Sequence, residues 1–240
     1  DAHYGYSDSE IKEVECALYY TVPVEVSKVR PADIEEKEIS LAISKLRTPV
    51  EEHPGVKERE EGFLSYVSER SSADMGRIRQ ALEAVKLYNG LKRRPSGEPL
   101  YLHLITVAHI VLEYSQDEET ILGALFHESL HGGKLLLDHI SLHYNDKVNH
   151  MVKSFIAIEQ NRARFYTPKF SVEENLAPFQ ELGDDRILYI KLADCLHDLR
   201  TIKSFPALDQ FRLAEATLWF MLPLSRSLGL DETSEELLRL

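Results

Sequence analysis

From Ser72 onward the apolar residues keep returning at three- and four-residue steps: Ile78, Leu82 and Val85, then Leu104, Val107, Ala108 and Val111, then Ile121, Ala124 and Leu125, with Glu128 next in that series. A face that repeats at this interval is buried as a helix, and several such faces in succession require helices packed on helices. Breakers divide the pattern at Asn89-Gly90, Pro95-Ser96-Gly97 and Gly132-Gly133. Asp117 suits the N-cap of a helix that runs to Leu130, with Glu118 and Glu119 favourably placed in its first turn. Later helices fit at about 134–143, 146–158, 184–201 and 208–228. The one candidate strand, Arg186 to Leu192, lacks clean alternation and runs into a polar helical pattern. The fold class that follows is an all-α helical bundle, with no repeat or low-complexity tract.

Residues 1–70 read differently. Acidic runs such as Glu35-Glu36-Lys37-Glu38 and Glu58-Arg59-Glu60-Glu61 alternate with Pro23, Pro31, Pro49 and Pro54, and helices fit at about 32–46 and 56–70, where Ile34, Ile39, Leu41 and Ile43 recur unevenly. This part is expected to be an acidic helical extension with solvated charged faces, ahead of a main domain over 71–240. A chain of 240 residues, 43% hydrophobic, can bury one sizeable core without a staple. Its two cysteines, Cys16 and Cys195, are too few for a disulfide framework, which points to a reducing cytoplasm. No apolar run approaches a membrane span. The net charge of −12 argues against a nucleic-acid partner, and a small phosphorylated ligand would need a metal or a local basic patch to overcome it.

Dispersed through the helical part are groups that can ligate a metal: His103, the pair His127-Glu128, His131 and Asp194. Imidazole and carboxylate together suit manganese, iron or zinc, and ligands supplied by several bundle helices are a common way to hold one. Singly, each also reads as an ordinary structural residue. His109, His139, His143, His150 and His197 are read as structural or surface, His109 because six residues after His103 it faces well away on a helix. Trp219, Phe220 and Met221 read as core. His127-Glu128-Ser129-Leu130-His131 also fits H-E-x-x-H, the zinc peptidase helix, although no third ligand can be assigned.

Three blocks carry a resemblance. Arg94-Pro95-Ser96-Gly97-Glu98-Pro99 followed by His103 is similar to the R-x-S-G-E-P-x-x-x-H entry of the RelA/SpoT hydrolase domain. Asp117-Glu118-Glu119-Thr120 leading to Ala124-Leu125-Phe126-His127 resembles its D-E-E-T…A-L-L-H-D helix, and Ile190 to Thr201 resembles I-K-L-A-D-R-L-H-N-M-R-T. Pro223-Leu224 with Arg226 to Leu230 resembles the closing P-L-A-x-R-L-G-I. The resemblance implies an HD-domain helical bundle, named for its His-Asp pair, holding one divalent ion, usually manganese, with zinc or iron as alternatives. Its implied ligands are His103, His127, Glu128 in place of the paired Asp, and Asp194. The implied reaction is removal of the 3′-pyrophosphate from guanosine tetra- or pentaphosphate, (p)ppGpp, and the implied nucleotide contacts are Arg94, with Lys92 and Arg93 beside it as a basic rim, Asp198 and Thr201. A synthetase domain, absent from this chain, is the partner the resemblance suggests.

Departures from the family pattern fall on the catalytic side. The Glu-Asp pair that orients or deprotonates the attacking water is His131 and Gly132 here, and the family Asn is Asp198. Val152 to Ile158 replaces the family's V-D-G-V-T-K-L stretch. Glu128 can swing to compensate for its extra methylene, and His131 can serve as base, since i+4 on one helix would put it beside His127. Two readings therefore stand beside the peptidase: a working metal-dependent nucleotide phosphohydrolase, and a hydrolytically silent binding or regulatory module.

Overall fold

A computed structural model describes residues 55–89, 92–169 and 171–240; within 129–135 and 162–163 it describes the helical backbone and not the side chains. The helix expected at about 32–46 lies outside the described residues. Helices α1 (Val56–Arg70), α2 (Met75–Asn89), α3 (Leu100–Tyr114), α4 (Glu118–Leu125), α5 (Ser129–His143) and α6 (Asp146–Gln160) are followed by α7 (Arg162–Tyr166), α8 (Val172–Gln180) and α9 (Arg186–Arg200). After a 3₁₀ turn at Ile202–Ser204 come α10 (Ala207–Ala216), a π turn at Thr217–Met221, α11 (Leu222–Ser227) and α12 (Asp231–Arg239). Among the described residues no strand forms, and the sole β feature is a bridge between Arg93 and Pro99. No described helix is long and apolar enough to cross a membrane.

At the centre lie α3 and α9. Helix α3 is apolar nearly all round, which only a helix surrounded by others can satisfy, and it packs on α1, α4 and α9. The same property explains why Arg186 to Leu192 lacks alternation: Ile187, Leu188, Ile190, Lys191 and Leu192 are all buried in α9, on more than one side of the helix. Helix α4 crosses close to α6 and α9 at Gly123, where a Cβ would stand 3.0 Å from Met151 Sδ and 3.1 Å from Ile190 Cδ1. Helix α1 also joins the core, through Val56, Phe63, Leu64 and Val67. The expected division at residue 70 therefore separates no second core among the described residues.

Asp117 does cap α4, accepting from the Thr120 N–H at 3.0 Å and from its hydroxyl at 2.7 Å. The helix does not run to Leu130. It ends at Leu125, and the chain turns through Phe126 to Glu128 before α5 begins. In a continuing helix the Ala124 carbonyl would accept from Glu128; here the His127 ring takes it, through Nδ1 at 2.6 Å. The expected break at Gly132-Gly133 is instead helical backbone within α5. Each helical glycine costs about 1 kcal/mol relative to alanine. Burial of Leu136 and Ile140 in the same helix, roughly 1.5–3 kcal/mol apiece, outweighs that. The π turn ends two residues before Pro223, which has no N–H to continue an α ladder. Phe220 and Met221 are core as expected, whereas Trp219 is 48% exposed.

Candidate metal centre

His103 comes from the first turns of α3, the His127-Glu128 doublet from the turn between α4 and α5, and Asp194 from the middle of α9. His103 and Asp194 thus sit on the two central helices, and their side chains are 3% and 11% exposed. The three groups converge. Asp194 Oδ1 lies 3.3 Å from His103 Nε2 and 3.5 Å from His127 Nε2, and the two Nε2 atoms are 3.2 Å apart. Glu128, partly buried, brings a carboxylate oxygen within 4.8 Å of the others. Ligands held about 2.1 Å from one ion lie roughly 3.0–3.4 Å from each other, so the spacing suits a first-row divalent cation.

The donor set fits such a cation chemically. The Ala124 carbonyl can only accept, so His127 Nδ1 must carry its proton, which leaves the Nε2 lone pair facing the Asp194 carboxylate. Two acceptors that meet in a buried site need a positive charge between them. A proton can stand in: burial lowers the pKa of His127, but the Asp194 carboxylate more than offsets this and the net shift is upward. Burial prevails at His103 and lowers it. Burial acts to raise Asp194, yet the charge of Lys191 and the bonds from both histidines hold it well below the usual carboxylate range. Lys191 Nζ donates to the second oxygen, Oδ2, at 2.8 Å and lies 3.7 Å from Glu159, which leaves Oδ1 free to face the centre.

The remaining expected positions fall as follows. Arg94 is not an open basic rim: its side chain is 6% exposed, paired with Asp198 and with Glu98 at 3.8 Å, and its guanidinium lies 5.6 Å from the Phe205 ring centre. Lys92 Nζ donates to Asn89 at 3.1 Å, and the Thr201 hydroxyl donates to the carbonyls of His197 and Asp198, closing the end of α9. Burial and the charge of Asp194 one turn away push Asp198 up to about 7, against the pull of Arg94. The side chain of His131 lies outside the described residues. Its expected place on one helical face with His127 fails, however, because His127 stands in the turn before α5 starts. The same break removes the continuous helix that the H-E-x-x-H peptidase reading requires.

His197, expected to be structural or on the surface, is buried against the centre. Its Nδ1 lies 2.7 Å from His103 Nδ1 and 3.3 Å from the Arg94 guanidinium. Burial, with His103 and Arg94 nearby, lowers it to about 3. The signal was its spacing, since three residues after Asp194 on a helix means the same face. His109 does face away from His103 and stacks on Tyr66 at 4.1 Å.

The match that decides the family covers residues 81–230, which align with the HD domain. This chain belongs to the HD-domain family. Its HD domain is of RelA/SpoT type, as curated relatives bear out. It is 28% identical over 165 residues to a probable GTP pyrophosphokinase of Mycobacterium leprae, covering 69% of this chain and 21% of that protein. It is 29% identical over 162 residues to a putative chloroplastic GTP diphosphokinase of Arabidopsis thaliana, covering 64% and 18%. It is 29% identical over 151 residues to a GTP pyrophosphokinase of Brucella ovis, covering 62% and 20%. The chain spans about a fifth of the length of these relatives. HD domains are in general metal-dependent phosphohydrolases, and His103, His127, Glu128 and Asp194 form a cluster here with the donor set to hold a divalent ion.

Proposed function

We propose that this HD domain is a metal-dependent phosphohydrolase acting on a guanine nucleotide, with a reaction like removal of the 3′-pyrophosphate from (p)ppGpp. The observation that carries the reading is the convergence of His103, His127 and Asp194 within 3.5 Å, with Glu128 beside them. These four would hold the ion, with manganese favoured by the RelA/SpoT resemblance over zinc or iron. Once bound it would supply Lewis acidity, activation of a water and positive charge toward a polyphosphate that an acidic protein repels. The protein's own groups prepare the site: Lys191 holds the far oxygen of Asp194, and the Ala124 carbonyl sets the His127 ring. By the RelA/SpoT resemblance, Lys92, Arg94, Asp198 and Thr201 would contact the nucleotide, and His131 would be the base. The free, buried thiol of Cys195 suits a cytoplasmic setting.

A second reading, a hydrolytically silent nucleotide- or metal-binding module, is favoured by one observation. The guanidinium of Arg94 is already held by Asp198 inside the fold, so an incoming nucleotide must compete with a built-in carboxylate. Turnover of guanosine tetraphosphate with manganese, followed as pyrophosphate release, separates the two. Turnover lost together with manganese binding in His127→Ala and Asp194→Ala supports the enzyme; tight manganese binding with no turnover supports the module.

A further inference from the structure

The His103 ring is tied down in a way that sets it apart from His127. Its Nδ1 meets no carbonyl or carboxylate but the Nδ1 of another imidazole, His197, at 2.7 Å. Ligating histidines generally give their second N–H to a carboxylate, a carbonyl or water, groups that can accept whatever the ring does. A neutral imidazole has no such fixed polarity: either of its nitrogens can carry the proton, so by itself His197 could not dictate which way His103 is protonated.

We infer that Arg94 is a positioning residue that fixes the proton arrangement of the centre through His197. A guanidinium offers only N–H donors and keeps its charge. Arg94 Nη1 lies 3.3 Å from His197 Nδ1, in a site where both side chains are buried. That nitrogen must therefore present its lone pair, and His197 carries its proton on Nε2. His103 Nδ1 faces the same lone pair and has to donate, because the alternative sets two lone pairs 2.7 Å apart. A neutral ring protonated at Nδ1 has its free lone pair at Nε2, the atom 3.3 Å from Asp194 Oδ1 and 3.2 Å from His127 Nε2. Two different devices thus aim two lone pairs at one point: a backbone carbonyl for His127, and a guanidinium acting at one remove for His103. Asp198 holds the guanidinium in place through the other terminal nitrogen. The same geometry disposes of a second ion. His103, His197 and Asp198 also bring ligand atoms within 4.8 Å of one another, but the cation already seated on His197 and Asp198 is Arg94.

This inference rests on His103 and His127 being ligands, and the test tells the two apart. Protein labelled with ¹⁵N-histidine is titrated with zinc as a diamagnetic probe, and long-range ¹H–¹⁵N spectra report which ring nitrogen carries the proton. The wild type is expected to show His197 protonated at Nε2 and His103 protonated at Nδ1 with zinc at Nε2. Arg94→Met, close in length but without a donor, should give mixed tautomers at His197 and zinc binding weaker by about tenfold or more by calorimetry. Arg94→Lys, which keeps a charged donor, should retain the wild-type tautomers and most of the affinity. Zinc binding to wild type with the His197 proton on Nδ1 would overturn the role of Arg94 while leaving the ligands standing, and so would an Arg94→Met variant with unchanged tautomers and affinity. No zinc binding at all would overturn both. The wild-type spectrum alone decides if Arg94→Met does not fold.

Discussion

Replacing Lys191 with methionine keeps the length of the side chain and deletes the charge that faces Asp194. At 2.8 Å and an effective dielectric of about 20, the pair attracts with roughly 6 kcal/mol before desolvation is counted. Removing one member of a buried pair leaves the other uncompensated and typically costs about 3–5 kcal/mol. The lower end applies here, because a proton on His127 can still face Asp194. A loss of about 3 kcal/mol in a domain of this size lowers the melting temperature by roughly 6–12 °C. Manganese should narrow that gap, since an ion at Asp194 Oδ1 supplies the missing positive charge and is not repelled by Lys191 in the variant, so the variant binds it more tightly; each tenfold difference in Kd narrows the gap by about 1.4 kcal/mol at saturating ion. Urea unfolding followed by circular dichroism, with chelator and then with manganese, measures both effects. A metal-free loss under about 1 kcal/mol, or a gap that manganese leaves unchanged, would refute the claim that Asp194 is a buried anion looking into the centre.

Two further outcomes are expected. Asp117 caps α4 and meets Arg186 at 3.0 Å; burial opposes its ionisation, but bonds from Thr120, Glu119 and Arg186 lower it from 3.8 to about 2. A depressed carboxylate contributes stability that is complete above its unfolded value and lost as pH falls toward the folded one, so Asp117→Asn should lower the melting temperature at pH 7 and leave it close to wild type near pH 2. If wild-type protein binds manganese without turnover, the combined changes Glu128→Asp, His131→Glu and Gly132→Asp should create pyrophosphate release from guanosine tetraphosphate; a triple variant that binds both yet stays inert would place the defect at Asp198 and the 152–158 stretch.

Most of the bundle could be read from the sequence because period and punctuation agreed there: Asp117 caps where its spacing says, and α6 and α9 fall within two residues of expectation. The failures have local causes. Gly132-Gly133 has the propensity of a stop, but the buried residues that follow it keep the helix going, and the true break about one turn earlier depends on a side chain taking a backbone carbonyl. Helix α8 is short, and its one clear sequence signal is the reciprocal capping box of Ser171 and Glu174. In the centre, ligand candidates could be picked out by type, but the order of protons among them could not. That order depends on which atom of Arg94 meets which atom of His197, 103 residues away.

The turn at Phe126–Glu128 splits the proposed ligands between two kinds of support. His103 and Asp194 sit on the two buried central helices, whereas His127 and Glu128 sit on a three-residue link between helices, held by a ring-to-carbonyl bond; buried core helices are expected to open only with the whole core, and such a link locally. For an ion held as proposed, affinity would be set mainly by the rigid pair, and the rate at which one ion is exchanged for another by the link. Such a centre can be tight and still kinetically labile, swapping its metal without unfolding around it.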